Sequence, residues 1–232
     1  MNLPTVPGDV LVGAAAVAFG AVRAGATGPS PAAATVAAAC VASVFLYMFG
    51  LVDNDIVGAG TDICRPIPDG EISLGAARLA RGLCLFAAFA SGAAANLPPA
   101  WWVAALALFA ATAAYNRTKW CLAMGLCRGL DVFCGGAALM PGVRGVPVES
   151  RLALFAAAAA WTVYVAAVTK YSEGEENDPA RRRRVGFLVG AIVYLQLVAL
   201  MVFGNAPFLA AGAAMLVLTR LCKRLLPEVE AS

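Results

Sequence analysis

Stretches of close to twenty apolar residues recur from one end of this chain to the other, and no other feature restricts its fold as strongly. A helix needs roughly 20 apolar residues to cross the hydrocarbon of a bilayer. Lipid offers no partner for unpaired backbone groups, so the runs are read as spanning helices. Only 13% of the residues are charged and 61% are hydrophobic, against roughly a quarter charged in an average soluble domain. The segments fall at 9–27, 31–52, 73–95, 98–115, 122–141, 151–171, 185–204 and 206–222. The expected architecture is therefore all-α, a polytopic membrane helix bundle of about eight transmembrane helices forming a single domain over 1–232. The first segment is expected to stay as an anchor, because 1–9 lacks the basic start of a signal peptide and no convincing cleavage site follows.

Eight spans put both termini and the loops after spans two, four and six on one side. Of the 17 basic residues, all but Arg23, Arg144 and Arg151 then share that side, and the positive-inside rule makes it cytoplasmic. An error of one span would scramble the asymmetry. The basic residues read as membrane anchors, so the partners expected are the lipid bilayer and membrane-borne molecules, with no nucleic acid. Seven cysteines without paired zinc spacing argue against a disulfide framework or a zinc site. The absence of histidine removes an imidazole base and histidine metal ligands. A metal would have to be held by oxygen or thiolate, which favours Mg²⁺ wherever carboxylates gather. Glycines such as Gly13, Gly20, Gly135 and Gly136 are expected to let helix backbones approach closely.

The polar chemistry collects in the cytoplasmic segments. Asp53-Asn54-Asp55 ends span two, with Gly58 and Asp62 continuing one face if the helix runs on, at i, i+4 and i+8 from Asn54. Acids at a helix C-terminus oppose its dipole, and bound cations would supply the reason for them. A second acidic stretch runs from Glu173 through Glu175, Glu176 and Asp178, before the arginines at 181–184. Between them lie Tyr115-Asn116-Arg117-Thr118-Lys119 and a segment carrying Arg128 and Asp131. Asp131 falls well inside span five, which makes it a functional candidate, with Arg128 at i−3 its expected partner. Tyr47 before the first acidic cluster and Tyr164 before the second suggest two four-helix halves, about 1–116 and 117–232.

Asn54-Asp55, Asp62 and Arg65-Pro66-Ile67-Pro68-Asp69-Gly70 resemble the first acidic motif of the UbiA superfamily of intramembrane prenyltransferases, Asn-Asp-x-x-Asp-x-x-x-Asp followed by Arg-Pro-Ile-Pro-Ser-Gly. Tyr115 and Lys119 resemble the family's Tyr and Lys after span four, and 173–178 takes the place of its second acidic motif. The segment 125–131 looks most like the UbiA-like EboC branch. Three departures stand out: Gly58 replaces the middle Asp, the stretch from Asp62 to Arg65 is about four residues short, and the second loop lacks Asp-x-x-x-Asp spacing.

The resemblance implies Mg²⁺-dependent transfer of a prenyl group from an isoprenoid diphosphate to an aromatic or lipid acceptor within the membrane. It implies Asn54, Asp55, Asp62, Glu173 and Glu176 as metal ligands, and Arg65, Tyr115, Lys119 and Arg128 as the diphosphate site. Asp55, Asp62, Lys119 and Asp131 are then the expected catalytic set, Asp131 orienting the hydrophobic acceptor. Electrostatics explains the metal: a bare carboxylate 4 Å from a phosphate charge repels it by about 4 kcal/mol at an effective dielectric of about 20. A non-catalytic UbiA-like transporter or lipid-binding protein is the competing expectation, and Gly58 its support. Phosphatidyl transfer is a third, but its Asp-Gly-x-x-Ala-Arg pattern is absent.

Overall fold

The computed structural model describes residues 5–25, 33–60, 66–140, 146–175, 178–203 and 206–225. These residues form eight helices: α1 (Val6–Arg23), α2 (Ala33–Gly58), α3 (Leu74–Ala94), α4 (Pro99–Thr118), α5 (Cys121–Ala137), α6 (Val148–Ser172), α7 (Pro179–Val202) and α8 (Ala206–Leu225). No strand occurs among the described residues. Each helix coincides with one of the expected spans. Five of them, α1, α2, α3, α6 and α7, are long and apolar enough by themselves to cross a membrane. By contrast α5 has 17 residues, includes Arg128 and Asp131, and is enclosed by α1, α2, α4 and α6. Its polar groups meet protein instead of lipid, the condition under which charge is tolerated at membrane depth.

The helix ends depart from hydropathy for identifiable reasons. Pro7 sits in the first turn of α1, where its missing N–H is harmless, so the helix begins before the apolar run does. Asp178 caps α7 by accepting from the backbone N–H groups of Ala180 and Arg181 at 2.9 and 3.1 Å, which places all four arginines on helix. Ser73 caps α3 in the same way. The continuation of α2 to Gly58 carries Asp53, Asn54 and Asp55 on helical backbone.

At the centre of the bundle is α1, which packs against α2, α5, α6, α7 and α8, so the two chain halves interlock through it. Small residues make that possible. A side chain at Gly13 would strike the α5 backbone at Val132 and Gly136, and one at Gly135 would strike the α1 backbone at Val10. Gly20 lies against the backbone of Glu149 and Ser150 at the start of α6, and Gly136 against Leu154. The expected close approaches are thus present at all four glycines. Outward surfaces are apolar: Phe86, Val103, Val163 and Phe187 are each at least two-thirds exposed. A water-soluble monomer seldom leaves so much apolar surface open, and a bilayer covers it.

Candidate functional site: a cavity at the ends of α2 and α4

The C-terminal end of α2 is built around Asp53. Its carboxylate is buried, accepting from Arg81 Nη1 of α3 at 3.0 Å and from Asn116 Nδ2 of α4 at 2.9 Å. Asn116 also donates to the Gly50 carbonyl at 3.0 Å. Three helices are tied together there, and Asp53 is committed to that tie. The next residue, Asn54, faces elsewhere: its Oδ1 accepts from the Lys119 ammonium. Lys119 itself has a left-handed backbone, φ 53°, at the C-cap of α4, a position that glycine usually takes. A lysine there costs about 1 kcal/mol or more, and the side chain so directed passes 5.6 Å from the Tyr115 ring.

Asn54, Tyr115 and Lys119 stand at one end of a cavity of about 360 Å³. Its walls come from α1, α2, α4 and α5, with Val6, Leu46, Leu108 and Met124 apolar and Tyr47, Thr112, Asn116 and Cys127 polar or polarizable. Arg128, Asp131 and Ser43 line it as well. Ser43 lies eleven positions before Asn54 on the same helix, so the cavity extends about 16 Å along the bundle axis at 1.5 Å per residue. Its size falls within the range of small-ligand pockets.

Beyond the cavity wall, Arg128 is not paired with Asp131, as the i−3 spacing suggested. Its Nε lies 2.8 Å from Asp9 Oδ2 of α1, and its Nη2 donates to Thr5 Oγ1 at 3.0 Å. Neighbours on one helix lose here to a carboxylate brought alongside by the tight α1–α5 packing. Asp9 is fully buried, and its other oxygen accepts from Trp161 Nε1 at 2.8 Å and from Gln196 Nε2 at 2.6 Å. The Gln196 amide also donates to the Thr5 carbonyl at 2.7 Å. Asp131 instead accepts from Ser43 of α2. Sequence reasoning passed over Asp9, Trp161 and Gln196. The sequence signal for Asp9 is an acid at the edge of an apolar run, where it stands as the first residue of the first expected span.

The structure therefore gathers Asn54, Tyr115, Lys119, Arg128 and Asp131 around one cavity. Asp55 follows Asn54 on the last turn of α2, half-buried. Asp62, Arg65 and Glu176 lie outside the described residues. Glu173 is not brought to the cavity: it is exposed and forms an ion pair with Lys170 at 2.7 Å, while its carbonyl accepts from Arg181. Among the described residues no three acids or thiols converge. Mg²⁺ is usually bound by one or two carboxylates together with substrate phosphates and water. Asn54, whose one side-chain oxygen accepts from Lys119, and Asp55, the next residue on the last turn of α2, are the oxygen donors that this helix end offers.

No family model matches the chain, and no curated protein does. Among solved structures, that of a UbiA homolog from Archaeoglobus fulgidus is similar over 97% of this chain and 84% of that one, with a TM-score of 0.52 and 16% sequence identity. The likeness covers nearly the whole bundle. At that identity it is one of fold: this chain has a UbiA-like helical membrane fold.

Proposed function

We propose that this protein transfers a prenyl group from an isoprenoid diphosphate to a hydrophobic acceptor within the membrane, with Mg²⁺ as cofactor. The observation that carries the reading is the cavity itself, with Lys119, Asn54 and Tyr115 at its interfacial end and apolar walls behind them. A prenyl diphosphate has the same division, a polyanionic head on a hydrocarbon tail. Lys119 would contact the diphosphate as a point charge, while the Tyr115 hydroxyl supplies a neutral donor. Both interactions strengthen as the carbon–oxygen bond breaks and charge accumulates on the leaving group, which is the condition for lowering a barrier. Asn54 and Asp55 would hold Mg²⁺, with Asp62 a further ligand on the adjoining segment. Bound there, the ion supplies the positive charge that lets an anion rest beside carboxylates. Leu46, Leu108 and Met124 keep water from the allylic carbon. Arg128 acts at one remove, because Asp9 already balances its charge. We place the termini and the acidic segments in the cytoplasm, on the strength of the basic residues gathered there.

The test is transfer by the purified protein in lipid nanodiscs, given a radiolabelled prenyl diphosphate, membrane lipid extract and Mg²⁺. The expected outcome is released diphosphate and labelled lipid. Asp55→Asn should abolish the Mg²⁺-dependent transfer with the thermal transition unchanged. Undiminished transfer by that variant overturns the metal assignment. A non-catalytic, lipid-binding reading is favoured by one observation, that no acidic cluster forms among the described residues. Lipid bound by the wild type without release of diphosphate at any Mg²⁺ concentration would establish it.

A further inference from the structure

A second concavity lies apart from the cavity, on the outside of the bundle. Between the C-terminal end of α6 and the N-terminal end of α7 runs a groove of about 370 Å³, lined by Tyr171, Arg183, Arg184, Phe187 and Leu188. Both helices are long and apolar enough to cross a membrane, so the end they share marks a membrane surface. The groove is graded along that direction. Arg183 and Arg184 are the fifth and sixth residues of α7, and Phe187 and Leu188 follow one turn further in, about 6 Å deeper at 1.5 Å per residue. Phe187 is 76% exposed, and the two helices are tied beside it where Tyr164 Oη donates to the Leu188 carbonyl at 2.7 Å. The other charges nearby are matched within the protein. Lys170 pairs with Glu173, Arg181 donates to the Glu173 carbonyl and lies 5.5 Å from the centre of the Tyr171 ring, and Asp178 caps α7. Arg184 stands against Tyr171, but neither it nor Arg183 forms an ion pair among the described residues.

We propose that this groove docks one anionic phospholipid, its phosphate held by Arg183 and Arg184 and an acyl chain lying over Phe187 and Leu188. The guanidinium fork matches phosphate oxygens two at a time, and the positive end of the α7 dipole acts in the same sense. The carbon stems of the two arginines and the Tyr171 ring continue the apolar wall up to the charged heads. Positive-inside anchoring asks only that arginines stay in the headgroup layer; a groove beneath them adds a fixed place for the chain, so that a lipid is retained instead of exchanged. A zwitterionic phospholipid would bring its own ammonium toward two uncompensated guanidiniums, which repel it. A free phosphate would meet the arginines and leave the apolar floor uncovered. A protein helix laid in the groove would have to carry acids at the depth of Arg183 and Arg184, whereas every anionic lipid of the leaflet presents its phosphate at that depth. The site does not depend on the cavity or on the transfer reading.

The experiment is native mass spectrometry of the full chain in detergent micelles, with dioleoylphosphatidylglycerol or dioleoylphosphatidylcholine added. The wild type should retain one phosphatidylglycerol with about tenfold or more preference over phosphatidylcholine, as expected of two basic side chains at a membrane surface. Replacing both arginines, Arg183→Gln with Arg184→Gln, should bring the ratio to near one. Arg78→Gln with Arg117→Gln removes the same charge from the ends of α3 and α4 on the same face and should leave the ratio intact. Phe187→Ala, with both arginines kept, should lower the retention of phosphatidylglycerol, and it holds the test open if the double variant does not fold. Equal retention of the two lipids by the wild type overturns the proposal, as does an equal loss of preference from the Arg78 and Arg117 pair, which would make the attraction a property of the whole face. Displacement of the lipid by glycerol phosphate would reduce the groove to an anion site and refute the docking of a chain. A lipid-free dimer that Phe187→Ala dissociates would give the groove to a second copy of the protein.

Discussion

Within the bundle, Asp9 and Arg128 illustrate why a charge inside a membrane protein must be followed to its partner before a role is assigned to it. Arg128 lines the cavity and, taken alone, looks like a diphosphate ligand. Its charge is met by Asp9 at 2.8 Å, and Asp9 in turn accepts from Trp161 and Gln196. Four helices, α1, α5, α6 and α7, are joined through one carboxylate. Removing one partner of a buried pair leaves the other uncompensated, which costs about 3–5 kcal/mol. Arg128→Leu should therefore lower thermal stability in detergent substantially, and adding Asp9→Asn should recover part of the loss. If the double variant is no more stable than Arg128→Leu, the two residues are not coupled. Lys119 presents the opposite case. It holds a backbone conformation that suits glycine, and it is exposed at the cavity mouth where a charge can meet a ligand. Strain kept at such a place is a reason to look for function there.

Individual helices owe their positions to small residues more than to large ones. Water provides no driving force between helices in lipid, so α1 and α5 associate by packing, and Gly13 and Gly135 bring their backbones into contact. Gly135→Val would drive a branched side chain into the α1 backbone at Val10, where no flexible group can yield. We expect it to separate α1 from α5 and to destabilise the protein by about 3 kcal/mol or more. Gly190→Val, at a site with open space around it, serves as the control. Similar stabilities for the two variants would contradict the packing described. The same approach that joins α1 to α5 brings Asp9 to Arg128, so a defect in Gly135→Val should extend to ligand binding in the cavity.

At the scale of the molecule, the even number of helices among the described residues and the side on which the basic residues collect are linked. Arg78, Arg81, Arg117, Lys119 and the four arginines at 181–184 all lie at the ends of α3, α4 and α7 that share the face of the cavity mouth. With that face cytoplasmic, a soluble diphosphate head reaches Lys119 without crossing the bilayer. A fluorescent protein fused to the C-terminus should therefore fluoresce in a bacterial inner membrane, and alkaline phosphatase fused at the same point should stay inactive. The reverse pattern would place the cavity mouth outside and deny it a cytoplasmic substrate.

Fold class and the positions of the eight helices among the described residues were legible from hydropathy, because a bilayer imposes one length and one backbone conformation on every segment that crosses it. The placement of Asn54, Tyr115 and Lys119 beside one another was also legible, through motif and order along the chain. Pairing was not. The commitment of Asp53 to Arg81 and Asn116, the turn of Arg128 toward Asp9, and the separation of Glu173 from the cavity depend on which helix faces which. A sequence specifies the depth of each residue along its own helix, since rise per residue is constant. Rotation about the helix axis and the choice of neighbour are set by the packing of all eight helices together, and only the tertiary structure decides those.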